Sequence, residues 1–160
     1  MTLHKGVRKI LTQLQLVFLG LICGMVAVGF GFYMAGINLP EDQKMNLAIL
    51  NYVAPISGIA LLVISQRFFL SRIKNFSIST PLHEKLLGWQ SAALLRMILM
   101  DGAVLVNLAT LALTGNMLFV LLAFVLLGLF VIQFPSLKSL IRELNLSGKE
   151  ESNLYVQDGF

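Results

Sequence analysis

Long uncharged apolar runs alternate along this chain with short charged intervals. No charged residue occurs between Leu11 and Pro40, a run well beyond the roughly 20 residues a helix needs to cross a bilayer. A second uncharged run, MNLAILNYVAPISGIALLVISQ, follows the acidic pair Glu41 and Asp42. A third, SAALLRMILMDGAVLVNLATLALTG, carries two charges, and a fourth, MLFVLLAFVLLGLFVIQF, is nearly pure Leu, Val and Phe. The pattern predicts an all-α integral membrane protein with four transmembrane helices, at about 14–37, 45–66, 91–114 and 117–134. Thr114-Gly115-Asn116 is too short to be anything but a tight turn, so the third and fourth helices form an antiparallel hairpin. The same arrangement is expected of the first and second.

After Pro135 the period changes character. Leu137, Leu140, Ile141 and Leu144 recur at helical spacing, while Lys138, Arg142 and Glu143 fall elsewhere. This predicts a short C-terminal amphipathic interfacial helix at about 136–147, with Gly148 as its stop. One membrane domain, 1–147, is expected to be followed by a flexible polar tail, 148–160.

Three spans carry internal detail. In the first, Gly20, Gly24, Ala27, Gly31 and Ala35 share one helical face, which is expected to pack closely against a helix of the same subunit or of another copy. In the second, Pro55 cannot donate to the carbonyl of Asn51 and is expected to kink the helix there. The third holds Arg96 and Asp101, and a charge in hydrocarbon costs several kcal/mol, so such residues usually face protein or water. Arg96 lies about 7.5 Å nearer the basic interval and can extend its head towards water. Asp101, near the middle of its span, cannot; it must be protonated, paired or in contact with trapped water. Five residues put the two side chains about 140° apart around the helix, so they do not pair within it. Asp101, Arg96, Asn107, Thr110 and Asn51 form the candidate polar site. Trp89, the single tryptophan, is expected at headgroup level.

Composition agrees with the pattern. Of 160 residues 57% are hydrophobic and 12% charged, against about 25% charged in a soluble domain, so much of the surface must face lipid. A net charge of +4 could suggest nucleic acid as a partner, but the basic residues flank the apolar runs, and none is expected. Lys5, Arg8 and Lys9, then Arg67, Arg72, Lys74 and Lys85, then Lys138 and Arg142 lie in alternate intervals and so on one side of the spans, with only Lys44 in the intervals opposite. The charge rule therefore predicts a multi-pass protein of a bacterial cytoplasmic (inner) membrane, with both termini in the cytoplasm. Cys23, the one cysteine, rules out a disulfide framework within the chain.

The sequence contains no glycine-rich phosphate loop, paired cysteines or histidine–carboxylate cluster, so no enzymatic activity, cofactor or metal is expected. Two function classes remain. The first is a non-enzymatic structural or accessory subunit of a membrane protein complex, working as a homo-oligomer or with other membrane subunits. The alternative is a small oligomeric proton or cation transporter or channel using Asp101 as a midplane carboxylate.

Overall fold

The computed structural model describes residues 2, 3, 5–38, 40, 49–76 and 80–156. The acidic first loop and the expected start of the second span, within 41–48, lie outside the described residues. The elements are β1 (Thr2–Leu3), α1 (Lys5–Asn38), α2 (Leu50–Lys74), α3 (Leu82–Thr114), α4 (Leu118–Ile132), α5 (Leu137–Leu144), α6 (Gly148–Ser152) and β2 (Tyr155–Val156).

α1, α2 and α3 are each long and apolar enough to cross a membrane. α4 has 15 residues, about 22 Å of helix, and falls short of the roughly 30 Å hydrocarbon core by itself. It reaches span length only together with α5, from which it is bent by 80°. The chain is a multi-pass membrane protein with three spans, or four if the bent pair counts as one. The bend has a local cause. Pro135 lacks the amide a continuing helix would need, and Ser136 restarts helix in a new direction through a reciprocal cap with Ser139 (3.1 Å and 3.0 Å).

α3 is the centre of the molecule: α2, α1 and α4 all pack principally on it, and α5 meets its N-terminal half. The helices are thus gathered around the third. α3 and α4 are joined by the tight turn, where Gly115 adopts φ 65° and its amide reaches the Leu111 carbonyl at 2.7 Å. The left-handed φ explains glycine at that position. α2 runs as one helix from Leu50 through Pro55 to Lys74. Its close approach to α3 occurs at Gly58, where an added Cβ would lie 2.8 Å from the Asn107 amide nitrogen.

α1 buries Val7, Leu11, Leu14, Phe18 and Met25, a stripe at helical spacing that faces α3 and α4. Phe18 stacks on Phe130 at 4.6 Å and meets Phe134 edge-on at 5.2 Å. The small-residue face lies on the other side. Gly20, Gly24, Ala27, Gly31 and Ala35 are exposed, and a Cβ at any of the three glycines would meet nothing within 4 Å. Gly29 of α1, by contrast, is approached within the subunit: an added Cβ there would lie 3.3 Å from the Leu108 side chain.

The C-terminal segment departs most from expectation. Asn145, in the left-handed conformation (φ 47°), ends α5, and Gly148 opens α6 instead of stopping a helix. Leu140 and Leu154 are fully buried in the main core. β2 pairs antiparallel with β1, Leu3 opposite Tyr155. Composition suggested a loose tail because it counts polar residues and cannot see that Leu146, Leu154 and Tyr155 have apolar surface to pack on.

Candidate functional site

Lys85, Trp89 and Arg96 are spaced by four and seven residues, which lines them up along one face of α3. All three are buried, Arg96 to 6% exposure and Trp89 completely. A buried polar group without a partner is strongly disfavoured, and each of these finds one in the C-terminal segment. Glu143 on α5 uses both carboxylate oxygens: one accepts from Arg96 Nη1 at 3.3 Å, the other from Trp89 Nε1 at 2.7 Å. The Arg96 guanidinium also lies over the Phe69 ring of α2, 3.8 Å from its centroid. One turn before Trp89, Lys85 pairs with Glu150 at 2.5 Å. Glu150 additionally accepts from the Ser147 amide and hydroxyl, both at 3.0 Å. Lys85 first, then Ser147, pulls the Glu150 carboxyl down to about 2.

Trp89 is therefore a core residue anchored to a carboxylate, not an interfacial ring. Its hydrogen-bond partner arrives from 54 residues away, and no local pattern could announce it.

Asp101 lies elsewhere. It is half-buried at the edge of the outward face of α3, beside Ile98, which is 58% exposed, and Gly102, where an added Cβ meets nothing within 4 Å. Among the described residues it has no hydrogen bond and no ion pair. Arg96, about 140° away around the helix, is turned inward to Glu143, so the two charges of this span are separated.

The remaining polar candidates do not converge on Asp101. Asn107 is buried against α2, donating to the Ala103 carbonyl of its own helix at 2.9 Å, with its Oδ1 unpaired. Thr110 is bonded to Val106 O at 2.8 Å, again within α3. They lie about 120° and 180° around the helix from Asp101. Asn51 is exposed at the other end of the molecule, its Oδ1 accepting from Asn116 at 3.4 Å to link α2 with the α3–α4 turn. A groove of about 400 Å³ between α1, α3 and α4, bordered by Met25, Gly29, Tyr33, Leu108, Ala123 and Phe124, holds no charged side chain. No group of three His, Cys, Asp or Glu able to hold a metal occurs among the described residues.

Glu143, Glu150 and Phe69 are the residues that sequence reasoning missed. One signal was available. Ser147-Gly148-Lys149-Glu150 is a capping-box pattern that announces a helix start in the supposed tail. Comparison with known proteins finds no matching family model, no matching curated protein and no matching solved structure.

Proposed function

We propose that this chain is a non-enzymatic structural or accessory subunit of a membrane protein complex in a bacterial cytoplasmic membrane. In this reading α4 and the bend after it complete a fourth crossing, and both termini are cytoplasmic. The exposed basic residues Lys5, Arg8, Arg67, Arg72, Lys138 and Arg142 then share the cytoplasmic side. One observation carries the reading. The charges of the inward faces are satisfied within the subunit, whereas Asp101 stands unpaired at the edge of the outward face. A subunit that completes its own interior but leaves a carboxylate facing out is suited to docking on another protein. The exposed small-residue face of α1 is a second surface on which helices can approach closely. The ion-carrier alternative would be supported by polar groups gathered around Asp101, but Asn107, Thr110 and Asn51 point to other parts of the molecule.

The test is the size of the complex extracted gently from native membranes, comparing wild type with Asp101→Asn. The reading expects the wild-type chain in an assembly with other subunits, and a smaller species in the variant with the protease pattern of the protomer unchanged. An assembly of unchanged size and stability in D101N, with loss of ion flux alone, would overturn it in favour of the carrier.

A further inference from the structure

Resting on the reading above, we infer that the strip of α3 around Asp101 receives a transmembrane helix of a different protein, one that carries a lysine or arginine level with Asp101. Ile98, Asp101, Gly102, Leu105 and Ala109 fall on one side of α3 at spacings of three and four, and none of them is buried. Gly102 leaves a recess directly beside the carboxylate, with open space where a side chain would stand. A second helix backbone can therefore come close to α3 at the depth of Asp101. The strip is apolar except for one unpaired carboxyl group, and the complement that would hold it ionised is an apolar helix bearing one cation.

Among the described residues, no cation of the subunit meets Asp101. Arg96 faces another side of the helix and is held by Glu143 and Phe69. Lys85 is held by Glu150 and lies 16 residues back, about 24 Å along the axis. Arg67, Arg72 and Lys74 are at the cytoplasmic end of α2, and Lys5, Arg8 and Lys9 are at the start of α1.

A second copy cannot supply it either. Two copies in one membrane have the same orientation, so a symmetric contact through this strip sets Asp101 against Asp101. A staggered contact would require a free cation at this depth. The only cation of the span is Arg96, and it is buried and engaged. The complementary charge must come from another chain. Asp101 is about 7.5 Å beyond Arg96 along α3, near the middle of the span, which puts the partner's cation at that depth.

The experiment uses the full-length chain in lipid vesicles, labelled at exposed Ser91→Cys in a Cys23→Ser background, with single-span peptides labelled at one end. The peptides are identical leucine–alanine helices carrying lysine, leucine or glutamate at the depth of Asp101. Energy transfer to the lysine peptide is expected to report association about tenfold stronger than to the leucine peptide, a difference of about 1.4 kcal/mol. The glutamate peptide should not associate. The preference should vanish in Asp101→Asn and weaken in Gly102→Leu, which fills the recess while keeping the charge. Equal association of lysine and leucine peptides, or an undiminished lysine preference in D101N, overturns the inference. Asp101-dependent self-association of the labelled chain without peptide also overturns it, in favour of a second copy. If native complexes dissociate in D101N but the lysine peptide shows no preference, this inference fails while the assembly reading stands. Native complexes unaffected by D101N would remove the reading itself.

Discussion

Glu143 holds Arg96 with one oxygen and Trp89 with the other, and among the described residues the arginine pairs with no second acid. Removing the negative charge leaves a buried guanidinium without a counter-charge, which typically costs about 3–5 kcal/mol. Glu143→Gln should therefore lower stability by about that amount in a detergent unfolding titration, although glutamine still offers Trp89 an acceptor. Adding Arg96→Met removes the stranded charge, and the double variant should recover most of the loss. Glu150 behaves differently because it lies near water. Its carboxyl sits at about 2, below the ordinary 4.5. Its contribution to holding the C-terminal segment is therefore complete above pH 4.5 and lost as pH falls towards 2. Limited proteolysis of that segment should be unchanged between pH 7 and pH 5 and should increase below pH 4.5. At Gly58 a methyl group would push on the Asn107 amide, which is itself bonded to Ala103 O. Gly58→Ala is expected to cost about 1–3 kcal/mol, the usual range for overpacking a close contact.

At the scale of elements, α1 is a helix with two unlike sides. The large residues face α3 and α4, and the small ones face away, so substitutions on the two sides should separate cleanly. Phe18→Ala removes a ring stacked on Phe130 and should destabilise the protomer by about 3–5 kcal/mol. Gly24→Leu meets nothing within the subunit and should leave its unfolding midpoint unchanged. If the small face serves assembly, G24L reduces the native complex all the same. Much of this layout was legible beforehand. The long apolar runs located α1, α2 and α3 because a bilayer demands about 20 predominantly apolar residues in succession. The small-residue periodicity located a face of α1 but not its direction. Periodicity states which residues share a side, and only the neighbouring helices determine which side is turned inward.

For the molecule as a whole, the C-terminal segment closes one end by covering the Lys85–Trp89–Arg96 stripe and pairing with the N-terminal strand. α5 has eight residues and α6 five, too short to be helical without tertiary contacts. Deleting residues 135–160 should expose Trp89 and strand two buried cations. Trp89 fluorescence should shift to the red, and the amount of folded protein recovered from membranes should fall.

The sequence by itself determined the class of the protein and the approximate positions of its long helices. Both follow from a local rule, the apolar length needed to cross hydrocarbon. It also singled out Arg96 and Asp101 as charges that require an explanation. Only the tertiary structure decided that the two have different answers. Arg96 is met by Glu143, 47 residues later, across an 80° bend. Asp101, five residues from Arg96, is turned out of the subunit. A pairing between distant residues is a property of how helices are stacked, and hydrophobic period carries no information about which acid meets which base.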